Sequence, residues 1–224
     1  MGLQHSPSIV TSGLVLCLDA ANTKSYPGSG TAWNDISGNN AVGTLTNGPT
    51  YNSANLGSIA FDGVDDVVTL PDAGAVNLAD TMTASLWVYY VSGNGRIFQK
   101  DGSGYTRLWE IGGYAGTFRM EMWHSTGVGT IGYGNALTVN GWMNITLTFN
   151  GTDILMYQNN SLITTVNFPG DIRTDVNTPL MLGGAWGSTE SFNGRISNTL
   201  LYNRALSAAE VTQNFNAHRG RYGI

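Results

Sequence analysis

Short stretches in which apolar and polar residues alternate run along most of the chain, and turn-forming residues separate them. Residues 145–149 place Ile, Leu and Phe on one face and two Thr on the other, the period of two that is typical of a half-buried β-strand. Residues 154–158 follow after the turn at 150–153, and Asn159 and Asn160 suit the next two-residue turn. The alternation predicts antiparallel strands joined by tight hairpins.

Similar strand candidates occur earlier in the chain, and glycine and asparagine mark the turns between them. The chain has 30 glycines, which supply the positive φ angles that tight turns require. The strand candidates recur throughout, with no long linker and no internal repeat, so we predict an all-β antiparallel sandwich or barrel. Those before residue 100 are 14–18, 58–61, 66–70 and 83–91.

The C-terminal region alone has the pattern of a helix. Ser207 and Glu210 have the spacing of a capping box, in which each side chain binds the backbone amide of the other residue. Val211 and Phe215 then fall one turn apart and suit docking onto a sheet. We therefore expect a single domain over residues 13–224 that ends in a short helix, preceded by an N-terminal arm over residues 1–12.

The amino-acid composition excludes several classes of function. The 224 residues suit one all-β domain, and charged residues make up only 11% of them. Ten Lys and Arg face 15 Asp and Glu, so we expect no nucleic-acid partner. No apolar stretch approaches a membrane span, and the first residues lack the pattern of a signal peptide. The single Cys17 excludes an internal disulfide, and its apolar surroundings predict a buried, unreactive thiol.

Five phrases, in this order and spacing, resemble the laminin-G-like branch of the concanavalin A-like lectin/glucanase superfamily. The resemblance implies a jelly roll of two antiparallel sheets, and the pattern of the C-terminal region adds a short helix. The wording is also similar to stand-alone virion domains of tailed bacteriophages. The phrases are GLVLCLDA at 13–20, WNDISGN at 33–39, FDGVDD at 61–66, WMNIT at 142–146, and FNGRI at 192–196 running into YNRALS at 202–207.

This resemblance implies one of two functions. The domain would bind glycans of host or environmental surfaces, or it would be a structural decoration or fibre module of the virion. In either case we expect a place on the virion surface, synthesis in the host cytoplasm, contacts with other virion proteins, and a homo-oligomer or multicopy display. Neither membrane insertion nor a nucleic-acid partner is expected.

A hydrolase is expected least. The hydrolases of this superfamily place Glu, Asp and Glu at near-alternate positions of one strand, and no such triplet exists among the four Glu of this chain. Glu110 and Glu121 could lie on neighbouring strands, where cross-strand pairing with Arg107 or Arg119 is the simpler expectation. A polysaccharide-degrading enzyme therefore remains only as a distant alternative.

Two middle segments carry the side chains that a sugar-binding surface needs, namely flat aromatic rings and planar polar groups. In residues 116–125 we expect Phe118, Met120 and Met122 to point inward and the intervening residues to point outward. Residues 105–112 would add a second outward set. Such a patch suits a shallow carbohydrate groove or, equally, an interface between subunits. Its members are Arg107, Trp109, Arg119, Glu121 and Trp123, and Trp186 in a glycine-rich loop is a further candidate.

Acidic residues suggest one candidate calcium site and no other cofactor. Asp62, Asp65 and Asp66 crowd into five residues, and Asp19 could lie on an adjacent strand. Related jelly rolls often hold a structural calcium next to a Gly-x-Ile-Asp phrase, but here residues 194–197 read Gly-Arg-Ile-Ser. The alternative is that Asp62 and Asp65 cap a tight turn through backbone amides.

Overall fold

The computed structural model describes residues 7–72, 78–101, 107–174, 178–184 and 190–224. Within these ranges it contains sixteen strands and one α-helix. The sequence pattern predicts the same types of element, namely many short strands and a C-terminal helix. The strands are β1 Leu14–Asp19, β2 Ala32–Asn34, β3 Val42–Thr46, β4 Thr50–Asn52, β5 Ser58–Asp62, β6 Val67–Leu70, β7 Met82–Ser92, β8 Gly95–Asp101, β9 Arg107–Tyr114, β10 Thr117–Trp123, β11 Gly129–Ala136, β12 Gly141–Phe149, β13 Asp153–Gln158, β14 Ser161–Asn167, β15 Leu180–Leu182 and β16 Asn193–Tyr202; the helix is α1 Ala208–His218.

The strands form two antiparallel sheets of eight strands each. The first sheet has the order β14-β13-β12-β7-β16-β5-β4, with β1 also paired to β16. The second sheet has the order β11-β10-β9-β8-β15-β6-β3-β2. The expected hairpins are present, since β12 pairs with β13 and β13 with β14. Asn159 and Asn160 both have positive φ in the second of these turns. The two-sheet antiparallel sandwich is confirmed.

The hydrophobic core lies between the two sheets. Phe118, Met120 and Met122 of β10 are fully buried there, as their alternation predicts. At one side of the sandwich Gly132 of β11 brings the second sheet close to the first. A Cβ at this position would lie 2.9 Å from Val166 of β14 and 2.8 Å from Met120, so glycine permits the approach. The edge strands of the two sheets therefore meet here.

Helix α1 packs on the outer face of the first sheet. The capping box is present: the Ser207 hydroxyl accepts from the Glu210 amide, and the Glu210 carboxylate accepts from the Ser207 amide. Trp87 of β7 stacks on Phe215 of the helix, with ring centroids 5.5 Å apart, and on Tyr222 beyond it, at 4.2 Å. No helix among the described residues is both long and apolar enough to cross a membrane.

The segment predicted as an N-terminal arm is described from residue 7 onward. Val10 is buried against the domain, and its amide donates to Asn214 of α1 while its carbonyl accepts from the Tyr202 hydroxyl. Cys17 is buried as expected, and burial raises the pKa of its thiol to about 12, so the thiol stays protonated at neutral pH.

Candidate functional site

The outer face of the second sheet carries two rows of register-paired residues. Side chains of directly opposed residues share a face, so each row lies on one side of the sheet. The first row runs Ile131, Glu121, Glu110, Gln99 and Met181 across β11, β10, β9, β8 and β15. The second row runs Tyr133, Arg119, Gly112 and Arg96 across β11, β10, β9 and β8.

Arginines and glutamates interlock along these rows. Glu110 and Glu121 stand directly opposite each other, and Arg119 bridges them, with 2.6 Å from Nη2 to Glu121 Oε2 and 3.3 Å from Nη1 to Glu110 Oε1. Arg107 Nη1 also donates to Glu121 Oε2, at 3.1 Å. Because like charges directly opposite repel, the guanidinium groups between them stabilise the pair. The cross-strand ion pairing expected from the sequence is confirmed.

Arg96 extends the network towards β8. Its Nε lies 2.8 Å from Glu190 Oε2 and 3.3 Å from Glu110 Oε2. Glu110 Oε2 makes no well-directed hydrogen bond to a described residue, so this second contact is an ion pair only. Burial raises the pKa of the Glu110 carboxyl, while Arg96 and Arg119 lower it against that rise. We call Arg96, Arg107, Arg119, Glu110, Glu121 and Glu190 the Arg–Glu network; its three cations and three carboxylates balance.

A small pocket opens beside this network. Glycines form part of it because side chains there would collide with the next strand: a Cβ on Gly112 would lie 2.6 Å from the Gly95 carbonyl oxygen. These glycines have no side chain that could cover the polar groups of the pocket. Its lining consists of Gly95, Arg96, Glu110, Gly112, Gly113, Tyr114, Arg119 and Glu190.

Aromatic rings flank the Arg–Glu network on the same face. Trp123 lies on the outer side, as expected, with its ring flat against Gly129, where a Cβ would lie 2.8 Å from Cε2. Its Nε1 is buried and has no hydrogen-bond partner among the described residues. Tyr133 and Tyr114 are 51% and 45% exposed, and Arg119 Cζ lies 5.4 Å from the centre of the Tyr114 ring. The sequence interpretation missed both tyrosines.

Trp109 corrects the sequence prediction. It was expected to point outward with Arg107, but it is 3% exposed and packs edge-on against Phe98 inside the core, with centroids 5.0 Å apart. The reason is a β-bulge: Trp109 pairs with Lys100 and Arg107 with Asp101, so β9 has one extra residue there. The bulge breaks the alternation, and Arg107 turns outward while Trp109 turns inward. Trp186 lies outside the described residues.

The acidic turn lies apart from this face. Carboxylate oxygens of Asp62, Asp65 and Asp66 come within 4.8 Å of one another. Asp62 Oδ1 accepts from the Val64 amide, which is a turn-capping bond expected from the sequence. Asp66 Oδ2 accepts from the Asp62 amide, a bond that the sequence interpretation did not predict. The donor set has the chemistry that calcium prefers, and calcium binding here stays a prediction.

Asp19 does not join this turn. Both of its carboxylate oxygens accept from Arg221, at 2.9 and 2.8 Å, and this pair fixes the chain after α1 to the end of β1. The expectation that Asp19 completes a metal site is therefore corrected, because a bidentate arginine already occupies both oxygens.

Several solved structures share this fold. The binding domain of Paraclostridial Mosquitocidal Protein 1 is 19% identical with a TM-score of 0.73, and the alignment covers 92% of this chain and 52% of that one. The botulinum neurotoxin serotype G binding domain is 15% identical with a TM-score of 0.71, covering 90% and 50%. This chain thus spans about half the length of these toxin domains.

Domain 4 of an extracellular arabinanase from Geobacillus stearothermophilus, solved in complex with arabinotriose, is 18% identical with a TM-score of 0.70. That alignment covers 90% of this chain and 97% of the arabinanase domain. No curated protein matches the sequence. A family model does match residues 62–212, more than half of the chain, so this protein belongs to the concanavalin A-like lectin/glucanases superfamily.

Proposed function

We propose that this protein is a non-enzymatic carbohydrate-binding jelly roll that binds neutral saccharides on the outer face of its second sheet. We further propose that it is displayed in many copies on a virion surface. One observation carries the proposal: half-exposed aromatic rings surround a charge-balanced set of fixed polar groups on that face. Rings that stack on a sugar and planar groups that bind its hydroxyls are what such a site requires.

Charge balance favours a neutral sugar over a charged one. The three arginines of the Arg–Glu network each pair with a glutamate of the network, so neither sign of charge is in excess. Guanidinium N–H groups and carboxylate oxygens suit hydroxyl groups, which both donate and accept. The arabinotriose complex of the similar arabinanase domain supports this choice of ligand class.

The same network supports a non-enzymatic role. A glycosidase needs one carboxyl group free to protonate the leaving oxygen and a second free to attack or to activate water. Glu121 Oε2 instead accepts from both Arg107 and Arg119, and Glu110 and Glu121 are each only 5% exposed. Carboxylates held in this way contribute to structure and to binding. The toxin binding domains of the same fold are also consistent with this role.

The virion part of the proposal rests on the similarity of the sequence phrases to bacteriophage domains. Binding at a shallow face is weak at each site, and many linked copies convert later contacts into intramolecular ones. Multicopy display would therefore give a useful overall affinity. Other virion proteins would then be the partners of this domain.

A second candidate function is that of a purely structural virion module. Edge strand β11 favours it, because Ile131 and Tyr133 project from it and are 45% and 51% exposed, and Val128 just before it is 62% exposed. Exposed apolar groups on an unpaired edge are a common basis of protein–protein contact. In this case the aromatic rings would be buried between subunits.

A glycan array separates these functions. We expect the wild-type protein to bind neutral saccharides, Trp123→Ala to lose that binding, and Leu162→Ala, a matched change of an exposed residue on β14, to keep it. An empty array together with stable oligomers in light scattering would overturn the proposal in favour of the structural module. Release of reducing ends from polysaccharides, abolished by Glu121→Gln, would contradict the non-enzymatic role.

A further inference from the structure

A second group of planar side chains lies on the opposite side of the sandwich, on the outer face of the first sheet. Trp142 of β12 is paired with Tyr89 of β7, and Tyr89 is paired with Arg195 of β16. The three side chains therefore share one face, and all three are half-buried. We call them the arginine–aromatic row.

Arg195 is stacked on its neighbours and forms no ion pair with a described residue. Its Cζ lies 3.9 Å from the centre of the Tyr89 ring and 5.5 Å from that of Trp142. Within the described part of the chain no carboxylate pairs with it, in contrast to Arg119 and Arg221. Stacking uses the flat face of a guanidinium and leaves its N–H groups, which lie in the plane, for another acceptor.

The row is held in place before any ligand arrives. Trp142 Nε1 donates to Asn55 Oδ1 at 3.0 Å, and Asn55 Nδ2 donates in turn to the Arg221 carbonyl at 2.9 Å. The Trp142 ring also contacts Tyr89 edge-on at 5.6 Å and Tyr222 at 4.7 Å. Because these contacts already fix the rings, binding a ligand would cost little side-chain conformational entropy.

On the other side of Arg195 the sheet carries small side chains. The paired row continues with Ala60 of β5 and Thr50 of β4, which are half-buried and exposed. Both side chains are too short to cover the guanidinium. Asp62 lies on the same face, two residues beyond Ala60 and opposite Asn193, with Oδ1 accepting from the Val64 amide.

We propose that the arginine–aromatic row is a second binding site, for saccharides that carry a uronate. The carboxylate of the sugar would pair with the N–H edge of Arg195, and the apolar face of its ring would pack on the exposed part of Trp142. The guanidinium of Arg195, which no carboxylate of the described ranges neutralises, selects the acid, in contrast to the charge-balanced Arg–Glu network on the other sheet. The site would give one domain two sugar specificities on opposite faces.

The test is calorimetric titration with trigalacturonate and, as the matched probe, its methyl ester. We expect the acid to bind, the ester to bind about tenfold more weakly, and Arg195→Gln to lose a similar factor. Arg195→Lys keeps the charge but loses the fork and the stacking, so it should restore only part of the affinity. Asp62→Asn should strengthen binding at low salt, since it removes a nearby like charge.

Thermal unfolding of each variant shows whether it folds, and Trp123→Ala separates the two sites. Loss of trigalacturonate binding in Trp123→Ala with unchanged binding in folded Arg195→Gln would overturn this site while leaving the proposed function intact. Equal binding of acid and ester, or no binding at millimolar trigalacturonate, would overturn it as well. Retention in Trp123→Ala with loss in Arg195→Gln is the result that we expect.

Discussion

At the scale of single residues, the stability of the outer face of the second sheet depends on Arg119. It stands between two carboxylates that are directly opposite on neighbouring strands, and it also lies over the Tyr114 ring. The side chain is 14% exposed, so water screens these charges only weakly. Arg119 therefore links the stability of this face to its proposed ability to bind sugars.

Replacing Arg119 by alanine should be costly. Glu110 and Glu121 would remain buried opposite each other with fewer cations, and we expect a loss of about 3 kcal/mol in the free energy of unfolding. Urea titration at pH 7 measures it. Adding Glu121→Gln to the same chain should recover part of the loss, because it removes the repulsion. A loss well under 1 kcal/mol would show that the network does not hold the strands together.

The residue scale also shows what alternation can and cannot predict. The spacing of Arg119, Glu121 and Trp123 correctly predicted one outward set, because β10 is regular through these positions. The same reasoning was wrong for Trp109, because a bulge in β9 depends on pairing with β8 and leaves no mark in the local sequence. Long-range register decides such positions.

At the scale of elements, β11 is as important to the candidate site as the two strands that the sequence interpretation singled out. It is an edge strand, and its glycines at 129, 132 and 134 lie against large side chains of β10. Ile131 and Tyr133 alternate with smaller residues between these glycines, and this alternation was the sequence signal that could have identified the strand. It was missed because glycine-rich segments read more readily as turns.

Gly129→Ala tests the role of this strand. The new Cβ would approach the Trp123 ring to about 2.8 Å, so the ring must turn away from its present position. We expect the loss of binding on the glycan array to approach that of Trp123→Ala, with a shift in tryptophan fluorescence and only a modest change in stability. Gly127→Ala before the strand meets no side chain and, although strained by its positive φ, should leave binding intact. Equal binding by Gly129→Ala and wild type would place the sugar elsewhere.

Helix α1 should loosen in acid because of His218. Burial lowers the pKa of this imidazole to about 4, helped by Arg221 and opposed by Asp19, while the unfolded value is near 6.5. The unfolded chain thus binds the proton first, and stability contributed by neutral His218 falls as the pH drops from 6.5 towards 4. We expect a difference on the order of 2 kcal/mol across this window.

Urea unfolding of wild type and His218→Gln at both pH values measures this effect. Glutamine does not titrate, so the difference between the two proteins isolates His218 from Glu110, whose raised pKa acts in the opposite direction. Parallel pH profiles of the two proteins would show that the imidazole is not buried against the sheet.

At the scale of the whole molecule, the sequence predicted the fold class, the short C-terminal helix and the superfamily. These follow from features spread along the chain, namely alternation, turn residues and five ordered phrases. The candidate site was predicted only in part, because it combines four strands whose order in the sheet no local pattern reveals. Asp19 shows the same limit, since its partner Arg221 is 202 residues away.

The sandwich presents its two outer faces to different surroundings. Helix α1 and Tyr222 cover part of the first sheet, whereas the second sheet carries the Arg–Glu network and its flanking rings. If the second sheet binds neutral sugars, Trp123 must lie at the contact. Its half-buried ring lies on the same face as Arg119 and Glu121, so its indole N–H signal is a probe of that contact.

The most direct measurement is an NMR titration of ¹⁵N-labelled protein with the neutral saccharide that binds best on the array. We expect the indole N–H signal of Trp123 to shift in proportion to saturation, together with the amides of Arg119 and Tyr133, while that of Trp87 beneath the helix stays in place. An unmoved Trp123 signal at saturating saccharide, or shifts confined to other surfaces, would contradict binding on this face.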